Sequence, residues 1–302
     1  LDYFNIQSQI DKILGNGSVD YGYGQTVTSK SDIVKDVSIV KAEDWTNLSI
    51  DILKIAYHQG TASNALVTAL PTIHVGDLVE ASQITAYQNV IPLLIQHRFD
   101  LAQYSEESFA PNISQTRTTP WGFTAKTTVR HSFTIDFGSA NNARYFFNTG
   151  SRLRFSASRT GGTSSIQNQS WSTLLSTMGT ISFNHAGCTS SNNVGSSSGV
   201  GFYNLNTTPQ QVYTRTDPGT YMSPHYYSPA YRANDYTIYM SCDTDNTFGA
   251  ARYLYVSVYF NDDHTKYNQL KDTVDGTLTH TVSMHRASGP NVNVTDRKST
   301  RL

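Results

Sequence analysis

Arg252–Phe260 reads RYLYVSVYF, and its alternation decides the fold. Leu254, Val256, Val258 and Phe260 fall on one side of an extended chain, and Tyr253, Tyr255, Ser257 and Tyr259 on the other. Successive side chains of a strand point to opposite faces, so this period of two predicts a half-buried strand. The same period recurs on either side. Val129, His131, Phe133, Ile135 and Phe137 alternate with Arg130, Ser132, Thr134 and Asp136. Tyr236–Asp243 carries Ile238, Met240 and Cys242 in one phase, and Thr277–Met284 carries Leu278, His280, Val282 and Met284. Ile181–Phe183 and Gly201–Leu205 read as shorter strands, and Asn261-Asp262-Asp263 as a turn. Many short strands joined by polar turns predict an antiparallel β-sandwich, jelly-roll-like, over residues 116–288.

Ala143–Gly162, ARYFFNTGSRLRFSASRTGG, reads as a β-hairpin within that region. Tyr145 and Phe147 alternate on the first arm, Leu153, Phe155 and Ala157 on the second, and Asn148-Thr149-Gly150 supplies the turn. Trp171, Leu174, Leu175 and Met178 are spaced as a short helix. Thr189–Gly199 is a Ser/Asn/Gly loop expected to move.

Upstream of residue 105 the period changes to that of helices. Ile6, Ile10, Ile13 and Leu14 predict a helix closed by Gly15-Asn16-Gly17. Trp45, Leu48, Ile52 and Ile55 predict a second from Ala42 to His58, ending at Gly60. An offset of 39 residues superimposes this segment on a third, so that 39–58 and 78–97 read as a weak internal repeat of a β-turn-helix unit. Trp45 then corresponds to Ile84, Leu48 to Tyr87, Ile52 to Ile91, Ile55 to Leu94 and His58 to His97. Pro92 is expected to kink the second copy. The resulting organisation is mainly β: a helical attachment module over 1–105, the sandwich over 116–288, and a polar tail over 289–302.

Charged residues make up 15% of the 302, against about 25% in an average soluble domain. Nineteen tyrosines and many hydroxyl and amide side chains must cover the surface instead. Such a surface suits packing against copies of the same chain and contact with carbohydrate equally well. A net charge of −1 with no basic stripe argues against a nucleic-acid partner. No apolar run is long enough for membrane insertion, and no signal-peptide pattern opens the sequence. Cys188 and Cys242 carry no spacing code. Cys242 reads as a small buried hydrophobe, and a disulfide between the two stays open.

The hairpin, the Trp-containing helix and Ser/Gly-rich strands that follow it, and an upstream series made of Gly22-Tyr23-Gly24-Gln25-Thr26, Ala42, Trp45, Leu48 and His58-Gln59 together resemble virion structural proteins of tailed bacteriophages. Those proteins are tail, baseplate or neck components and fibre-like appendages. The resemblance spans both halves of the chain and implies a particle part located in the virion. Its partners are then copies of itself and other virion (tail, neck or baseplate) proteins, in trimers or six-fold sets, with no enzymatic activity and no cofactor. The amphipathic faces Trp45, Leu48, Ile52 and Ile55, and Tyr87, Ile91 and Leu94, are the docking surfaces expected under this reading.

Two alternatives involve host glycan. A receptor-binding tip would use Thr220–Tyr236, where Tyr221, His225, Tyr226, Tyr227, Tyr231, Arg232 and Tyr236 decorate a segment stiffened by Pro224 and Pro229. An appendage glycosidase would need two carboxylates across a cleft, and Asp136, Asp217, Asp262, Asp263 and Asp275 all fall at predicted strand ends and turns. No nucleophile elbow, phosphate loop or zinc-protease motif is present. No metal site is expected: Asp243-x-Asp245-x-Thr247 opens like a calcium loop, but Phe248 and Leu254 stand where its Gly and Glu belong. His280 and His285 are five apart in a strand and face opposite ways. His58 and His97 fit favourable charge placement at helix C-termini.

Overall fold

A computed structural model describes residues 3–29, 37, 39–108, 114–122, 127–217, 233–262 and 273–294, with the backbone of 299–300. Its helices are α1 (Tyr3–Leu14), α2 (Ala42–Gln59), α3 (Ala65–Thr68), α4 (Ala81–Gln96), α5 (Ala140–Asn148) and α6 (Ile166–Met178). Its strands are β1 (Tyr104–Ser108), β2 (Ser114–Arg117), β3 (Thr127–Asp136), β4 (Arg152–Thr160), β5 (Ile181–Phe183), β6 (Cys188–Ser190), β7 (Ser196–Ser197), β8 (Gln210–Thr216), β9 (Asp235–Cys242), β10 (Tyr253–Asp262), β11 (Thr277–Ala287) and β12 (Ser299–Thr300). The chain divides into two compact units. One holds Leu1–Glu106, Ala140–Ser151 and His285–Thr295, and the other holds Glu107–Ser139, Arg152–Met284 and Asp296–Leu302.

In the helical unit, α1 packs on α2 and α4. Ile6, Ile10, Ile13 and Leu14 are buried there, as the helical spacing requires. The two repeat helices begin at equivalent positions, Ala42 and Ala81, and share an N-terminal device. Asp44 Oδ2 accepts the Lys41 N–H at 2.8 Å, and Gln83 Oε1 accepts the Glu80 N–H at 2.9 Å. Each side chain reaches back three residues to a backbone donor that the helix leaves unpaired. Residues 39–41 and 78–80, which lead into the two helices, form no strand. α2 ends on Gly60, whose φ of 75° is the left-handed conformation of a glycine cap. The Thr61 N–H bonds Ala56 O and the Gly60 N–H bonds Tyr57 O, which closes the helix. α4 runs through Pro92, whose ring is exposed.

Residues 143–148 are not a strand. Ala143, Phe146 and Phe147 are buried at helical spacing, and they, not Tyr145 and Phe147, set the local period. The expected hairpin turn, Asn148-Thr149-Gly150, is instead the end of α5 and its exit. Gly150 has φ of 74°, and a Cβ there would lie 2.2 Å from Phe99 O, so only glycine fits. The tail expected from residue 289 is also packed over its first part. Val292 and Val294 are buried, and the Val294 N–H bonds Ala287 O.

The β unit contains two antiparallel sheets with α6. One has the order β1-β11-β4-β5-β6, with β2 also pairing β11, and the other β12-β3-β10-β9-β8-β7. β10 is central in the second, with Val256 opposite Phe133 and Met240, and Phe260 opposite Val129 and Tyr236. The alternation of RYLYVSVYF holds: Leu254, Val256, Val258 and Phe260 are buried. Inward residues of the two sheets meet in a sandwich-like core, where His280 of β11 and Phe155 of β4 lie among Phe133, Tyr236 and Phe260. Residues 202–204 form a 3-10 turn rather than the expected strand. Short strands β6 and β7 lie within the expected 189–199 loop.

Candidate functional site

The residues expected to dock are sequestered in their own unit. Trp45, Leu48, Ile52, Ile55, Tyr87, Ile91 and Leu94 are all buried. Trp45 lies against Tyr3 at 5.3 Å and against Tyr87 at 5.0 Å between ring centroids. These faces are buried where α1, α2 and α4 pack on one another. The opposite side of α2 behaves differently: Ile50, Leu53 and Tyr57 are 40%, 36% and 51% exposed. Their spacing of three and four residues places them in one row. Leu66 and Leu78 of the same unit are exposed as well.

Tyr23, His58 and Gln59 meet in one packing cluster. Tyr23 is buried, donates from its hydroxyl to Arg98 O at 2.7 Å and accepts from Gln59 Nε2 at 2.9 Å. Its ring lies 4.8 Å from that of His58. His58 Nε2 donates to Thr149 O at 3.1 Å, and burial pulls its pKa down to about 4. His58 is therefore neutral and cannot act as the helix-end charge that its position suggested. Asn148 Nδ2 donates to Val19 O, Tyr21 O and Gly22 O, fixing the Gly/Tyr segment. His97 does face a charge, with Nδ1 2.7 Å from Asp100 Oδ2.

Of the aromatic segment expected to bind glycan, Tyr221, His225, Tyr226, Tyr227, Tyr231 and Arg232 lie outside the described residues. Tyr236 does not belong with them. It is a fully buried residue of β9, because it shares the inward phase of Ile238 and Met240. Its hydroxyl is 2.9 Å from His280 Nε2. Burial holds the His280 pKa down at about 3 and that of neighbouring His131 at about 4.

The outward face of the second sheet supplies a site that the sequence reading missed. Tyr239 of β9 and Tyr259 of β10 meet edge to face, 5.5 Å apart and 84° between planes. Thr128, Pro209 and Asn261 complete an open groove of about 620 Å³. Asn261 is fixed from both ends: its Oδ1 accepts from Thr128 Oγ1 and its Nδ2 donates to Asp235 Oδ1, both at 2.9 Å. The Arg130 guanidinium lies 5.8 Å over the Tyr259 ring and donates to Ser257 Oγ. Tyr253 and Tyr255, farther along β10 and outside the groove, stack on each other at 6.4 Å. Register makes the groove: Tyr239 faces Ser257 and Tyr259 faces Thr237, so the two phenols are diagonal neighbours.

The carboxylates weighed for catalysis are held by neighbours. Asp136 takes both arms of Arg252 at 2.7 Å, and that hydrogen-bonded cation keeps its pKa low. Asp262 accepts from Gln167 Nε2 at 2.6 Å, Asp217 accepts from Ser170 Oγ, and Asp275 accepts from the Thr163 N–H at 3.0 Å. Asp263 lies outside the described residues. Asp243 and Asp245 cap turns, accepting from the Arg252 and Thr247 amides. Among the described residues no group of three or more His, Cys, Asp or Glu side chains is gathered as a metal site, and no helix is long and apolar enough to cross a membrane. Cys188 and Cys242 are free and buried, and burial raises both thiol pKa values, that of Cys242 to about 11. No family model, curated protein or solved structure matches this chain.

Proposed function

We propose that this chain is a structural subunit of a tailed-phage virion, a tail, neck, baseplate or fibre-like component that acts by assembling with copies of itself and attaching to neighbouring virion proteins. The sandwich is read as jelly-roll-like. The observation that carries the assembly reading is the exposed row Ile50, Leu53 and Tyr57 on α2. Contiguous exposed apolar side chains mark interaction surfaces, and burying them between subunits supplies about 25 cal/mol per Å². The occupant of this row is a second copy of the chain, since one gene product repeated about an axis meets its siblings through equivalent surfaces. The subunit is read as having no catalytic centre and no cofactor.

Sedimentation of the full chain tests the assembly step. Concentration-dependent self-association is expected, and Ile50→Glu with Leu53→Glu abolishes it without lowering the melting temperature. Unchanged association in that double variant removes the α2 row as the contact. Immunogold labelling of intact particles, with the chain present in several symmetric copies, tests the virion assignment itself. A host-glycan-binding tip is the second reading, and the open tyrosine groove favours it.

A further inference from the structure

We propose that the groove between Tyr239 and Tyr259 binds a neutral carbohydrate. This deepens the tip reading and is independent of assembly through α2. Four features of the groove select this ligand chemistry. Its volume, about 620 Å³, is that of a small-ligand site, about 300–1,000 Å³. Its aromatic walls are phenols set at nearly a right angle, one ring face beside one ring edge. An aromatic face is electron-rich and attracts the polarised C–H groups on one side of a pyranose ring.

The polar lining is neutral and positioned in advance. Thr128 and the pinned Asn261 amide present hydrogen-bonding atoms at the rim, where ring hydroxyls would meet them. Fixed strands carry Thr128, Tyr239, Tyr259 and Asn261, so little side-chain freedom is lost on binding. The lining residues are one Thr, one Pro, two Tyr and one Asn, with no Lys, Arg, Asp or Glu. Arg130 is not a lining residue: its guanidinium lies 5.8 Å over the Tyr259 ring and donates to Ser257 Oγ, so the sulfated control reports directly whether this cation recruits an anion. An apolar anchor of a protein partner would find Pro209 alone as an aliphatic wall beside the two phenol rings. A hydrated ring with one apolar face satisfies both kinds of wall at once.

The test is a titration of the full chain, followed by calorimetry and saturation-transfer NMR. Maltotriose, cellotriose, chitotriose and lactose are the probes, and a sulfated trisaccharide is the control. Binding of at least one neutral probe is expected, with millimolar or tighter affinity. Tyr259→Ala and Tyr239→Ala each weaken it about tenfold. Tyr259→Phe keeps it within about threefold, because the ring and not the hydroxyl is the platform. Tyr253→Ala, which alters the same sheet outside the groove, leaves it unchanged. Circular dichroism melts of each variant separate loss of binding from loss of fold. No binding of any neutral probe, binding that survives both alanine substitutions, or binding of the sulfated control alone overturns the proposal. None of these outcomes bears on self-association, so failure here leaves the assembly reading standing.

Discussion

The two units finish their surfaces in opposite ways. Among the described residues, the large apolar side chains exposed by the helical unit are mostly aliphatic, Val37, Ile39, Ile50, Leu53, Leu66, Val75 and Leu78, with Tyr57 and Tyr104 as the exceptions. The β unit exposes rings instead, Phe248 and Tyr255, beside partly exposed Tyr239, Tyr253 and Tyr259. An aliphatic side chain gains by leaving water altogether, whereas a phenol has an apolar body and a polar tip and works while still wet. The contrast gives the helical unit a mostly aliphatic exposed surface and the β unit a phenolic one. It also teaches that helical amphipathicity alone does not identify an interface. α2 has apolar residues on two sides, and its own neighbours have already taken one.

Substitution of Trp45 should break the comparison hardest if the inner face of α2 were the working one. As a buried residue against Tyr3 and Tyr87, Trp45→Ala is expected to cost about 3–5 kcal/mol in urea unfolding. Leu53→Ala should stay within about 0.5 kcal/mol. A small loss at Trp45 would reverse the assignment of the two faces.

Acid is the next probe, since each unit buries neutral histidine. His58 has a folded pKa near 4 against 6.5 for the exposed side chain. The unfolded chain then binds the proton more tightly, so this stability is complete above pH 6.5 and declines as the pH falls toward 4. The loss at pH 4 is about 3 kcal/mol from this residue. His58→Gln keeps a donor toward Thr149 O and should flatten the profile. An identical slope in wild type and variant would exclude His58 as the source. His131 and His280 shift the same way and give the β unit its own decline over the same range.

The smallest effects compare tyrosines. Tyr236→Phe leaves His280 Nε2 without its partner in the core and is expected to cost about 1–3 kcal/mol. Tyr255→Phe, 40% exposed, should be within about 0.5 kcal/mol. Equal losses in chemical denaturation would dissolve the distinction between inward and outward phenols.

How much was legible in the sequence followed how local its cause was. β10 could be read because its alternation is complete within one strand. α2 and its counterpart α4 could be read because the spacing of their apolar residues is complete within one helix. The 143–148 segment was misread because Tyr145 and Phe147 also alternate, and the helical triplet Ala143, Phe146 and Phe147 was the better match to burial. Tyr236 was grouped with the aromatic segment before it, although its phase with Ile238 and Met240 pointed inward. The Tyr239–Tyr259 groove was not legible, because strand register brings together side chains that are distant in sequence. Nor was the outer row of α2, since only the packed fold reveals which apolar face remains uncovered.

The rims of the sheets carry a last consequence. β6 is three residues long, and β7 and β12 are two each. Short edge strands are one way β proteins blunt their rims, yet β12 covers only Ile135 and Thr134 of β3, and β7 covers only Thr214 and Tyr213 of β8.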